Sequence, residues 1–125
     1  MKSKKLKLKL LPFDFAISKL DSSSKLPKSV LQSGLYFISK TDTITSVLCP
    51  VNNLKTESKI IWSGFKLDGI FDFSEIGILS KIIKPLAESK ISILAFSTFE
   101  TDYIFVEKQN LSKSKKVLQK YFELI

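Results

Sequence analysis

The side chains able to do chemistry are restricted in kind. The 125-residue sequence has no histidine and a single cysteine, Cys49. Serine–histidine–aspartate and cysteine–histidine catalysis, imidazole metal ligation and an intramolecular disulfide are thereby excluded. A cysteine-based zinc site is excluded too, since such sites use several thiolates. Carboxylates, amines and hydroxyls remain: 12 Asp and Glu against 20 lysines, with no arginine. No two of them stand in a spacing that marks an acid–base or nucleophilic pair. Neither an enzymatic activity nor a cofactor is expected.

The formal charge of +8 is unevenly spread. Residues 1–62 carry 11 Lys against 4 acids, whereas residues 63–125 carry 9 against 8. Readers of nucleic acid draw on the planar guanidinium fork for phosphates and guanine edges. A surface charged only by lysine reads more simply as solubilising charge. The alternative is an RNA-binding module that sets strand aromatics beside its lysines. Its best candidate strand, Gly34–Lys40, lacks the Lys/Arg-Gly-Phe run such strands carry, so nucleic acid is not the expected partner. No apolar stretch approaches the ~20 residues needed to cross a membrane. The N-terminal lysines lead into Lys/Leu alternation, which argues against a signal peptide, and a cytoplasmic location is expected.

The elements that must position these groups are legible from periodicity. Lys5–Leu10 alternates strictly, placing three leucines on one face and three lysines on the other, a half-buried strand. Phe13, Phe15 and Ile17 extend it past Pro12. A short helix is expected over Pro27–Gln32, then an antiparallel pair from Gly34–Lys40 and Thr43–Cys49, and an extended run over Lys59–Leu67. Beyond it, Gly69–Phe73 reads as a strand and Ser74 as a helix cap. Ile76, Leu79, Ile82, Ile83, Leu86 and Ala87 follow helical spacing from Glu75 to Lys90. Ile91–Phe96 and Asp102–Glu107 form a hairpin, and a last helix opening at Asn110 or Ser112 carries Val117, Leu118, Tyr121, Phe122 and Ile125 on one side. The order β-α-β-β-α is the ferredoxin-like α+β arrangement, its last strand missing or supplied from elsewhere.

Three segments of this second half carry a family resemblance. They are Gly69-Ile-Phe-Asp-Phe-Ser-Glu-Ile-Gly-Ile-Leu79, Pro85-Leu-Ala-Glu-Ser-Lys-Ile-Ser-Ile93 and Phe96-Ser-Thr-Phe-Glu-Thr-Asp-Tyr-Ile104. In this order they resemble an ACT domain. More narrowly, the chain is similar to small stand-alone proteins with two ACT-like units, related to the regulatory domains of aspartate kinases. Val47-Leu48-Cys49-Pro50 and Trp62 also sit where that family has similar residues.

The resemblance implies a βαββαβ fold, with two ACT-like units in tandem and antiparallel sheets. A degenerate unit is expected over residues 1–66 and a fuller one over 67–125. It also implies a non-catalytic regulatory protein that binds an amino acid or related small metabolite, and a homodimer. The implied site begins in the loop before the first helix, with Asp72, Ser74, Ile76, Gly77 and Ile78. There, helix-end N–H groups suit an α-carboxylate, and Gly77 permits close approach. Phe96, Ser97, Thr98, Thr101 and Asp102 form the opposite wall, rich in acceptors for an ammonium group. No metal site is implied.

Overall fold

Lysine–leucine alternation opens a strand much longer than the alternating stretch itself, β1 (Leu6–Asp21). The computed structural model describes residues 5–71 and 76–125. After β1 come α1 (Lys28–Leu31), β2 (Phe37–Lys40), β3 (Ile44–Pro50), β4 (Trp62–Leu67), α2 (Ile78–Glu88), β5 (Ile93–Ser97) and β6 (Asp102–Glu107). A 3-10 turn at Lys108–Asn110 then leads into α3 (Leu111–Leu118) and β7 (Phe122–Leu124). Two compact units result. One joins Met1–Pro12 to Ser63–Ile125, and the other is Phe13–Trp62. The division expected between residues 66 and 67 does not coincide with this boundary. The start of β1 and all but the first residue of β4 lie with the helices at 78–118, because Leu8, Phe65 and Leu67 share one core with Ile82, Leu86 and Leu118.

In the larger unit the sheet neighbours run β1, β4, β6, β5, and β7 joins β1 on its other side. The expected hairpin is present: β5 and β6 pair antiparallel, from Ile93 opposite Val106 to Ser97 opposite Asp102. The element order β4-α2-β5-β6-α3-β7 is βαββαβ, so the mixed α+β, ferredoxin-like reading holds. One departure concerns the last strand. Residues expected to prolong the final helix instead form β7, which lies parallel to β1 with Leu6 opposite Phe122 and Leu8 opposite Leu124. The first part of β1 thus stands beside β4, and Asp68 donates its N–H to the Lys7 carbonyl at 2.9 Å. A strand from the N-terminus fills the position a closing strand would take.

α2 is shorter than its apolar periodicity suggests, beginning at Ile78 instead of Glu75. Its N-cap is Gly77 at φ +81°, and the expected cap, Ser74, lies outside the described residues. Ser80 Oγ donates to the Gly77 carbonyl at 3.0 Å, reinforcing the first turn. Ile82 and Leu86 are fully buried, with Ile78, Leu79 and Ile83 packed around them. At the other end Lys90 N–H bonds the Ala87 carbonyl and Ile91 N–H bonds the Leu86 carbonyl, the paired bonds of a Schellman stop. That stop puts Lys90 at φ +58°, a left-handed conformation that costs a Cβ-bearing residue about 1–2 kcal/mol. Lys90→Gly is expected to raise stability by about 1 kcal/mol. An unchanged urea midpoint would count against the strain.

The smaller unit holds the rest of β1 against β3, antiparallel from Phe15 opposite Pro50 to Asp21 opposite Ile44. β2 pairs antiparallel with β3, Phe37 opposite Leu48, as the sequence led one to expect. Val30 from α1 packs with Val47 and Cys49 in a small core flanked by Leu20, Leu26, Tyr36 and Leu54. Burial pushes the Cys49 thiol above its ordinary pKa, leaving it a protonated hydrophobe at neutral pH. No described helix is long and apolar enough to cross a membrane.

Candidate ligand-binding site

The β5–β6 turn is built by its threonines. The Thr98 hydroxyl donates to the Thr101 carbonyl at 3.0 Å and accepts from the N–H groups of Glu100 and Thr101 at 3.2 and 3.1 Å. Thr98 N–H also meets the Thr101 carbonyl at 2.8 Å. The buried Thr101 hydroxyl donates to the Leu67 carbonyl at 2.7 Å, tying the turn to the end of β4. Phe71 N–H donates to the Glu100 carbonyl at 2.7 Å, which straps the segment after β4 to the same turn. Thr101→Val keeps the volume and removes one buried hydrogen bond. It is expected to cost about 1–3 kcal/mol, read as a lowered urea midpoint; an unchanged midpoint would mean that the bond adds nothing.

Between this turn and the start of α2 lies an open cavity of about 530 Å³, within the range of small-molecule sites. The turn side contributes Ser97, Thr98, Phe99, Glu100, Thr101 and Asp102, and α2 contributes Ile78, Leu79, Ser80, Ile83 and Lys84, with Gly77 and Phe71 completing the wall. The Asp102 carboxylate accepts from Ser97 Oγ at 2.5 Å. One hydroxyl leaves a carboxylate with several free lone pairs, so Asp102 is held in place and still able to accept from a ligand. Across the gap, the first-turn N–H groups of α2 lack helical partners, and Lys84 adds a cation two turns in.

Six of the residues anticipated from sequence are thus brought together: Gly77, Ile78, Ser97, Thr98, Thr101 and Asp102. Their roles differ from the first reading. The Thr98 hydroxyl is committed to the turn and the Thr101 hydroxyl donates to the Leu67 carbonyl, whereas the Asp102 and Ser97 side chains bond each other at the edge of the gap. Gly77 has ample space, since a Cβ there would meet only Ser80 Oγ at 3.9 Å; its positive φ is what calls for glycine. Ile76 is 93% exposed and outside the cavity wall. Phe96 is also outside it, packing edge-on against Phe105 at 5.9 Å and 80°. Phe99 is 81% exposed at the cavity rim. Asp72 and Ser74 lie outside the described residues. Ser80 and Lys84 were missed, although they fall three and seven residues after Gly77, the spacing of one helix face. Glu100 was missed because it sat between threonines already assigned to the turn.

Fold and cavity define a ferredoxin-like α+β unit with a ligand-sized pocket where its first helix begins. The family model described as ACT domain matches residues 57–120, and the chain belongs to the ACT domain family. ACT domains are regulatory amino-acid-binding modules. A solved structure of a protein from Agobacterium tumefaciens superposes with a TM-score of 0.86 and 30% identity, covering 98% of this chain and 94% of that one. Aspartate kinase from Clostridium acetobutylicum has the same fold, with a TM-score of 0.60 and 13% identity over 98% of this chain and 36% of the kinase. The human protein called cytosolic arginine sensor for mTORC1 subunit 1 is 40% identical over 47 residues, 38% of this chain. That match spans only 14% of the sensor's length.

Proposed function

We propose that the chain is a non-catalytic sensor that binds a free amino acid in the cavity between the β5–β6 turn and α2. The observation that carries this reading is the separation of charge across one pocket. Asp102, held by Ser97, faces the gap from the strand side, and Lys84 with the α2 N-terminus faces it from the helix side. A zwitterion needs opposite charges at its two ends. The α-ammonium meets Asp102, and the α-carboxylate meets the first turn of α2 and Lys84.

The second carboxylate in the wall, Glu100, outweighs the single cation and favours a ligand with a basic side chain. The local likeness to an arginine sensor supports the same direction. We also take residues 13–62 as a second, reduced ACT-like unit, and the protein as cytoplasmic and homodimeric. What supports the reduced unit is its strand order: β1, β3, β2 repeats the arrangement β4, β6, β5, with a helix after the first strand of each.

A thermal-shift screen over the twenty amino acids tests the reading. A ligand that binds only the folded chain stabilises it by about 2.7 kcal/mol at a hundredfold excess over Kd. Lysine or arginine is expected to raise the melting temperature most. A screen in which no amino acid shifts it would overturn the assignment.

A further inference from the structure

The threonine-built turn of the larger unit has a copy in the smaller one. Thr41 N–H donates to the Ile44 carbonyl at 2.8 Å, as Thr98 N–H does to the Thr101 carbonyl. The Thr41 hydroxyl donates to the same carbonyl at 3.3 Å and accepts from the N–H groups of Thr43 and Ile44 at 3.3 and 3.1 Å. Each of these bonds recurs at Thr98, with Glu100 in place of Thr43 and Thr101 in place of Ile44.

The matching bonds align the two turns residue for residue, so Lys40 corresponds to Ser97 and Thr45 to Asp102. The strand pairing gives the same alignment, since Lys40 stands opposite Thr45 and Ser97 opposite Asp102. Thr45 alternates with Val47 and Cys49 of the smaller core, and Asp102 with Ile104 and Val106 of the larger one. The two side chains therefore leave equivalent faces of their sheets. Their chemistry is not equivalent. Threonine stands in both places where the larger unit's cavity has a carboxylate, Thr43 for Glu100 and Thr45 for Asp102, and the Ser97 hydroxyl gives way to the Lys40 ammonium. Thr45 is 4% exposed. Asp42 takes the tip position of Phe99. Asp21 follows Leu20, the residue opposite Thr45, and so lies on the other face of the sheet.

We propose that the chain holds one amino-acid site and not two: the β2–β3 turn keeps the backbone of a binding turn from which the ammonium acceptors have been removed. This rests on the amino-acid reading of the larger cavity and adds the residues that confine the ligand to it. An α-ammonium offered to the smaller turn meets a lysine where Ser97 would stand and a buried threonine where Asp102 would stand. On the helix side, α1 has four residues against the eleven of α2, and a single turn aligns too few peptide dipoles to hold a carboxylate. The Ser97–Asp102 pair is the specificity-determining element, because the backbone of the turn is common to both units.

The test is L-arginine titrated into the isotope-labelled full chain, with amide shifts locating the ligand and calorimetry counting it. One arginine per chain is expected, with saturable shifts at Ser97, Glu100 and Asp102 and none at Lys40, Thr43 and Thr45. The double variant Ser97→Lys, Asp102→Thr gives the larger turn the smaller one's pair. The smaller turn forms with that pair in place, so the melting temperature of the free protein is expected to hold while arginine affinity falls tenfold or more. Asp102→Thr alone, which adds no charge, gives the same loss, and Lys40→Ser leaves the affinity unaltered. Two arginines per chain, or saturable shifts in the smaller turn beside those of the larger, would overturn the proposal and leave the amino-acid reading standing. Unaltered affinity in both Asp102 variants would overturn the role of the pair. Absence of saturable shifts anywhere up to tens of millimolar would overturn the amino-acid reading for arginine and this proposal with it.

Discussion

Asp102→Asn is expected to weaken amino-acid binding by about 1.5–3 kcal/mol, roughly ten- to hundredfold in Kd. The substitution keeps the size and planarity of the group and removes its charge. The remaining amide oxygen still accepts from Ser97, whose hydroxyl lies 2.5 Å from the carboxylate, so the turn keeps its shape. What is lost is the charged partner for the ligand's ammonium, in a gap where Glu100 is the other carboxylate among the described residues. Calorimetric titration of wild type and variant with lysine or arginine reads the difference. Equal affinities would move the ammonium site away from Asp102. An equal melting temperature for the two free proteins is part of the expectation, because Asp102 is not in the core.

Gly64→Ala is expected to destabilise the chain by about 1–3 kcal/mol, the usual cost of forcing a methyl into a filled space. A Cβ on Gly64 would lie 2.6 Å from Phe105 Cε1 and 2.7 Å from Leu11 Cδ1. Leu11 is partly exposed and can turn its Cδ1 aside, but Phe105 has no such retreat. Phe105 is fully buried and braced edge-on by Phe96, so moving it disturbs β5 as well as β6. For a domain of this size about 1 kcal/mol corresponds to roughly 4 °C, so the melting temperature should drop by about 4–12 °C. Phe105→Leu in the same chain should recover part of the loss by vacating the space. A Gly64→Ala protein that melts like wild type would contradict the packing.

Local periodicity made most elements legible before any coordinates. Lys/Leu alternation located β1, and the apolar residues at 79, 82, 83 and 86 located α2, because one face of each had to reach the core. The β5–β6 hairpin followed from its threonine-rich turn. Features that depend on distant partners were not legible. Leu6 pairs with Phe122 across almost the whole chain, and no local pattern at residues 119–125 distinguishes a frayed helix end from a three-residue strand. The site was half visible for the same reason. Gly77, Ser97 and Asp102 stood out as residue types, whereas Lys84 resembles every other surface lysine until the fold sets it opposite Asp102. Nothing local shows that the Thr101 hydroxyl reaches the Leu67 carbonyl.

The most direct test is a crystal structure grown with the amino acid that the thermal screen selects. The account predicts density between the β5–β6 turn and the start of α2. The ligand ammonium should lie within hydrogen-bond distance of the Asp102 carboxylate, and its carboxylate against the first turn of α2. A ligand bound elsewhere, or one seated there with its carboxylate toward Asp102, would contradict it.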